Sequence, residues 1–305
     1  MAKVVVTGGS GFIGSHVVDA LIDAGHQVTI IDHRVRPHRD DVNFEDVDLM
    51  DASSVQAATR GIKHIFHLAA VSNVNYAYKY PVYTVALNML GTAHVLEAAR
   101  INGAERVYFA STVWVYNGTP NGAPLDETVP FYLNGAGHIY TSSKMASEMI
   151  CHNYFQLYKV PFTILRLGIP YGPRMREELL IPTFIKKAFA GQPLTIAGAG
   201  NQYRNFIYVR DIAEAHVLAM EQIAMNQTYN LEGSRKITVL EVAKGIREVL
   251  GEHVEIEFVP ERPGDFGGKE VTGEKAWQEL GWKPKVEFEE GLRLTVEWFC
   301  QKWGK

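Results

Sequence analysis

Residues 4–16 read VVVTGGSGFIGSH. A β-branched run ends at Thr7, glycines follow at Gly8, Gly11 and Gly14, and an amphipathic helical pattern opens at once. Because the run is continuously apolar and does not alternate, it reads as a strand covered on both faces. The glycines let the backbone turn tightly and approach a ligand, and the free N–H groups of a helix N-terminus favour an anion there. Strand, glycine turn and helix in that order form a cradle for the pyrophosphate of a dinucleotide. Asp32, 18 residues after Gly14, closes a second apolar run, QVTIID at 27–32. A carboxylate at that place accepts hydrogen bonds from the adenosine ribose and repels a 2′-phosphate, which favours NAD over NADP. Arg34 and Arg36 are the nearby residues able to reverse that preference.

The same texture continues outward. HIFHLAA at 64–70, RVYFAS at 106–111 and FTILRL at 162–167 are further apolar runs, with helical segments at 12–24, 82–101 and about 139–158 between them. Alternating strands and helices predict an α/β protein with a doubly wound parallel (Rossmann) sheet. After Pro170 the chain turns to Gly- and Pro-rich loops and shorter elements, with helical spacing again at 209–220 and 240–250. The expected division is a dinucleotide-binding domain over 1–168, joined by returning elements near 204–231, and a smaller α/β substrate domain drawn mainly from 169–305.

Composition excludes several classes. The 305 residues are 47% hydrophobic, enough for a substantial core, and the 30 basic and 34 acidic residues are intermingled at a net charge of −4. Nucleic acid has no electrostatic footprint here, and no stretch approaches a membrane span or a signal peptide, so a cytoplasmic protein is expected. Cys151 and Cys300 are far apart, which gives neither a CxxC motif nor a zinc quartet. Two reduced thiols and no metal are expected. His64 and His67 stand three apart on a strand and face opposite sides, so His67 reads as structural.

Chemistry enters at IYTSSK, residues 139–144. Tyr140 is the one tyrosine among fourteen with a lysine four residues on, Lys144. On a helix the two share a face, and a nearby ammonium favours the phenolate, so the pair reads either as a base or as a surface contact. The surrounding motifs bear on this choice: TGGSGFIGSH, DLMD at 48–51, HLAA at 67–70, NMLGTAHVLEAAR at 88–100, ASTVWVYN at 110–117, YTSSKMASE at 140–148, YGPRMR at 171–176, RNFIYVRDIAEA at 204–215, ERPGD at 261–265 and LGWKPKVEFEEGL at 280–292. Together these span almost the whole chain and resemble the extended short-chain dehydrogenase/reductase family, in its NAD-dependent nucleotide-sugar epimerase/dehydratase branch.

The resemblance implies that Tyr140 is the catalytic base, that Lys144 lowers its pKa and holds the nicotinamide ribose, and that the Thr112 hydroxyl meets the sugar. It implies a cofactor site formed by Gly8, Gly11, Phe12, Ile13 and Gly14 at the pyrophosphate, Asp32 at the ribose, and Asp48 and Leu49 beside the adenine. Leu68, Ala69 and Ala70 of the HLAA motif and a buried Asn88 near the nicotinamide complete it, with Tyr140 and Lys144. On the substrate side it implies Arg204, Arg262 and Asp265, the arginines clamping a diphosphate. Helices 82–101 and 139–158 resemble the pair through which such enzymes form homodimers.

Departures narrow the reaction. Dehydratases and decarboxylases of the branch carry an acidic residue just after the catalytic Ser or Thr, where this chain has Val113 and Trp114. Neither exchanges a proton, so elimination or assisted decarboxylation lacks an acid or base. Ile169 and Pro170 replace an Asn-Val or Asn-Pro pair, and Lys269 stands where a small side chain is usual; it reads as a reader of a sugar carboxylate or as a solvated loop residue. FYLNGAGHIY at 131–140 lacks the usual proline before the tyrosine. The resulting expectation is NAD-dependent 4-epimerisation of a nucleotide-diphosphate sugar of the UDP-glucose/UDP-galactose type. Its rivals are an NAD(P)-dependent nucleotide-sugar reductase or dehydrogenase and a non-catalytic NAD sensor.

Overall fold

The computed structural model describes residues 1–120, 122, 124–260 and 269–304. Its first part runs β1 (Lys3–Thr7), α1 (Phe12–Asp23), β2 (Gln27–Asp32), β3 (Asn43–Asp46), α2 (Ala52–Ala58), β4 (His64–His67), α3 (Val74–Lys79), α4 (Pro81–Val85), a π-helical turn (Ala86–Leu90), α5 (Gly91–Asn102), β5 (Arg106–Thr112), α6 (Ile139–Tyr158) and β6 (Phe162–Leu167). The second part contains β7 (Ile169–Tyr171), α7 (Leu180–Phe189), β8 (Leu194–Ala197), β9 (Tyr203–Arg204), β10 (Phe206–Tyr208), α8 (Val209–Leu218) and β11 (Gln227–Leu231). It ends with β12 (Ile237–Thr238), α9 (Val239–Leu250), β13 (Ile256–Val259), α10 (Glu274–Leu280) and α11 (Phe288–Trp303).

Seven strands form the central sheet in the order β11-β6-β5-β4-β1-β2-β3, every neighbouring pair parallel. Successive residues of β1 serve opposite faces. Val4 and Val6 join a core with Val17 and Leu21 of α1 and Ile212 of α8, while Val5 joins Ile31, Ile65, Leu96 of α5 and Cys151 of α6. Both faces are apolar because both are roofed by helices, which is why the strand sequences do not alternate. Strand order reverses between β1 and β4, and a crevice opens above their C-terminal ends at such a reversal. A third core is made by α7, α9 and α11, with Phe184, Ile185, Val242, Ile246, Val296 and Phe299 buried in it. Phe12, the first residue of α1, packs against this core and ties the glycine turn to the second part of the chain.

Three local features depart from the sequence expectation. Strand β4 ends at His67, and 68–70 leave the sheet to line the crevice. The short strand β3, NFED, is too polar to stand out as a run. The helix expected over 82–101 is interrupted by the π turn, inside which lies Asn88. There the Asn88 carbonyl accepts from the Thr92 hydroxyl at 2.5 Å and the Ser147 hydroxyl at 3.0 Å, so side chains satisfy backbone at the widened turn. Among the described residues no helix is long and apolar enough to cross a membrane. Cys151 is a buried free thiol and Cys300 a partly buried one.

Candidate active site

A cleft of about 630 Å³ opens where the strand order reverses. Gly8, at φ +71°, turns the chain out of β1, and a Cβ there would stand 2.7 Å from the Ala69 backbone. A Cβ on Gly14 would stand 2.1 Å from the Gly8 carbonyl oxygen, so only glycine lets α1 start this close to the turn. No side chain caps the N-terminus of α1. Uncapped N–H groups and a positive helix end facing a cleft too tight for side chains fit a pyrophosphate.

Asp32 ends β2 at the cleft wall, its carboxylate accepting from Ser10 N at 3.0 Å and His33 N at 2.9 Å. Burial raises its pKa, opposed by those two backbone donors. Asp48 and Leu49 line the same end of the cleft. Asp48 accepts from Met50 N at 3.0 Å, and the Leu49 carbonyl is held by His94 Nδ1 at 2.7 Å. Leu68, Ala69 and Ala70 form the opposite lip, where Leu68 N donates to Thr7 O at 3.1 Å. His67 lies fully beneath, between Thr7 Oγ1 at 2.7 Å and Thr92 Oγ1 at 3.0 Å, and burial pushes its pKa down to about 3. It is a neutral strut.

Thr112, Tyr140 and Lys144 meet at the far end of the cleft. Thr112 is the last residue of β5, and Tyr140 and Lys144 lie one turn apart on α6. Burial pushes the Tyr140 phenol up to about 12, opposed first by the Thr112 hydroxyl and then by the Arg176 guanidinium. Lys144 Nζ donates to the Ala110 carbonyl at 2.7 Å and sits 4.6 Å from the centroid of the Phe109 ring. Burial lowers its pKa to about 8. Arg176 is thus a cation that favours the phenolate at Tyr140, and Lys144 Nζ is held by the Ala110 carbonyl of β5. Asn88 stands behind the wall and does not line it: its Oδ1 accepts from Val71 N at 2.8 Å and its Nδ2 donates to Ser143 Oγ at 2.9 Å. It ties the cleft segment at Val71 to the second turn of α6.

On the other side Ile169 and Pro170 line the cleft where an amide was expected from the family pattern, and Arg176 joins them. Arg176 Nε lies 3.6 Å from Glu178, which also accepts from Asn73 Nδ2 at 3.1 Å, so a polar chain crosses to the opposite lip. Arg204 sits on β9, paired with β12, and its Nη1 donates to Tyr203 O at 2.7 Å; it is not among the residues lining this cleft. Lys269 Nζ donates to the Thr119 carbonyl at 2.6 Å, which neither sequence reading of that lysine anticipated. Arg262 and Asp265 lie outside the described residues.

Sequence reasoning missed Arg176, although it lies within the quoted YGPRMR, because Arg174 beside it looks identical. Arg174 instead pairs with Asp19 at 2.7 Å. Missed too was His138, whose ring centroid is 5.0 Å from that of Trp114 and 6.1 Å from that of Tyr140.

A doubly wound sheet with this glycine cradle, a carboxylate closing the second strand at the cleft and a Tyr-Lys pair on one helical face is the arrangement of a dinucleotide-dependent enzyme. The model of the NAD dependent epimerase/dehydratase family matches residues 4–231. A relative from Methanocaldococcus jannaschii, a putative UDP-glucose 4-epimerase, is 33% identical over 303 residues, 97% of each chain. UDP-glucuronic acid decarboxylase 1 of Danio rerio is 32% identical over 98% of this chain and 73% of its own. The crystal structure of Thermus thermophilus UDP-glucose 4-epimerase in complex with NAD covers 97% of this chain and 98% of that one, with a TM-score of 0.87 and 35% identity. The chain belongs to the NAD dependent epimerase/dehydratase family, and NAD is its cofactor.

Proposed function

We propose that the protein interconverts nucleotide-diphosphate sugars epimeric at C4, UDP-glucose and UDP-galactose being the leading pair. The observation that carries this reading is the pairing of Thr112 and Tyr140 at the cleft wall with Val113 and Trp114 in the next two positions. Val113 is buried, and Trp114 stands edge-on to Tyr140 with ring centroids 6.2 Å apart. An indole there can wall a sugar but cannot trade a proton, which disfavours the dehydration and decarboxylation carried out by other branch members.

Bound NAD supplies a reversible hydride acceptor. Tyr140 Oη takes the proton of the C4 hydroxyl and later returns it, while the Thr112 hydroxyl holds the same oxygen. Lys144, largely protonated at neutral pH with a pKa of about 8, keeps positive charge at the cofactor end. Arg176 lowers the cost of a phenolate at Tyr140. The 4-keto sugar must turn against the wall formed by Trp114, Ile169 and Pro170, which offers few polar groups to fix one face. Arg204, and on the family pattern Arg262, are proposed to hold the substrate diphosphate away from the cofactor pyrophosphate.

We also propose a homodimer through α4–α5 and α6. Val82 (82% exposed), Val85 and Leu90 on one segment and Met149, Leu157 (70% exposed) and Tyr158 on the other leave apolar side chains in solvent. Light scattering on the purified protein tests this, and a monomer at micromolar concentration contradicts it. A panel of UDP-, dTDP-, GDP- and CDP-sugars, with products read by NMR and Tyr140→Phe as control, tests the reaction. Loss of water or CO2 from any of them would overturn the epimerase reading.

A further inference from the structure

We propose that His138 is a positioning residue whose unprotonated Nδ1 fixes the first turn of α6 and thereby the orientation of Tyr140. His138 is the N-cap of that helix, and its Nδ1 accepts from Thr141 N at 3.2 Å and from the Thr141 hydroxyl at 3.0 Å. Tyr140 lies between the cap and the Thr141 N–H that donates to it, so the cap holds the backbone on both sides of Tyr140. The same imidazole packs on Trp114 at 5.0 Å, and Trp114 in turn meets the Tyr140 ring edge-on. Three rings from two segments thus lock one another at the cleft wall.

Both bonds need a lone pair on Nδ1, which places the proton of the neutral ring on Nε2. Protonation removes that acceptor and sets a cation at the positive end of a 20-residue helix. The groups facing the ring are the uncharged Trp114 indole from the 113–116 turn and the Thr141 hydroxyl and Tyr140 phenol of its own helix. Arg176 acts on the neighbouring Tyr140, and Lys144 follows Tyr140 by one helical turn. Burial lowers the pKa of His138 below 6.5. The cap is therefore complete at neutral pH, and its stabilisation is lost as pH falls through the folded value.

Two variants separate the nitrogens. His138→Asn puts an amide oxygen near the place of Nδ1 and does not titrate, whereas His138→Gln puts its amide near Nε2 and caps poorly. Thermal melting of NAD-loaded protein is followed from pH 7.5 to pH 5, with kcat and KM measured at pH 7.5; the kinetic arm rests on the epimerase reading. His138→Gln should melt roughly 2–4 °C lower at pH 7.5 and lose at least about tenfold in kcat with KM within about twofold. His138→Asn should keep kcat within about threefold and lose less stability than the wild type as pH falls, the remainder coming from other histidines held neutral by burial, such as His67. Parallel melting curves for wild type and His138→Asn overturn the cap whatever the reaction is. His138→Gln indistinguishable from wild type, or His138→Asn as impaired as His138→Gln, overturns it as well. The predicted melting pattern without turnover of any nucleotide sugar counts against the epimerase reading and supports the cap.

Discussion

Replacing Gly14 with alanine tests the cradle where it is tightest. The new methyl would sit 2.1 Å from the Gly8 carbonyl oxygen, 2.8 Å from the Gly8 carbonyl carbon and 3.0 Å from Gly9 Cα. Gly8 would have to retreat by about 1 Å to reach ordinary contact distance. It is held in place: Gly8 N donates to Ile31 O at 2.8 Å and Gly8 O accepts from Gly11 N at 3.0 Å. Overpacking costs about 1–3 kcal/mol and each weakened hydrogen bond about 1 kcal/mol, so a loss of roughly 2–4 kcal/mol of stability is expected. The larger consequence is for the ligand, because the shift turns the N–H groups at the start of α1 away from the pyrophosphate. One lost charge-assisted hydrogen bond is worth about 1.5–3 kcal/mol, or roughly 10- to 150-fold in affinity. Calorimetric titration of apo protein with NAD measures this, with circular dichroism to establish that the variant is folded. A folded Gly14→Ala protein binding NAD within about twofold of wild type would refute the assignment of this turn as the pyrophosphate site.

Tyr140→Phe should lower kcat by at least about 10²-fold with NAD affinity unchanged, and near-normal turnover would remove Tyr140 from the chemistry. Asp32 should make apo protein bind NAD more tightly than NADP in parallel titrations; the opposite order would give control of the site to Arg34 or Arg36. Glu232, nearly buried, has its carboxyl pushed up to about 8 by burial. The folded protein therefore holds a proton that the unfolded chain releases, and wild-type stability falls as pH rises from the usual carboxylate range toward 8, then levels off. Glu232→Gln should open a stability gap over wild type on the order of a few kcal/mol between pH 5 and pH 9 in urea unfolding, whereas parallel curves would show that the carboxyl ionises freely.

What could be read from sequence was whatever depends on local backbone need. The glycines of 8–14 and the two-sided apolar runs announce the sheet and its crevice, because no other residue fits Gly14 and no other burial explains Val4, Val5 and Val6 together. The Tyr140–Lys144 spacing is likewise local, being one helical turn. What was hidden depends on tertiary placement. Arg174 and Arg176 are two residues apart and alike in type, yet one reaches Asp19 on α1 and the other faces the cleft. The fate of Lys144 Nζ is decided by the Ala110 carbonyl, 34 residues away, which no pattern in YTSSK reveals. His138 could have been found: a side-chain acceptor three residues before Thr141 at the start of a helical run is a capping signal, but histidine is an unusual residue to carry it.

The central claim is that hydride leaves and returns within one site, with Tyr140 moving the accompanying hydroxyl proton. Incubating the protein as purified with UDP-glucose in D2O, without added NAD, and following the sugar by ¹H NMR tests it most directly. UDP-galactose whose C4 keeps its original hydrogen is expected, with no accumulation of NADH. Deuterium at C4, a pentose or 4-keto-6-deoxy product, or turnover that requires stoichiometric NAD would contradict it.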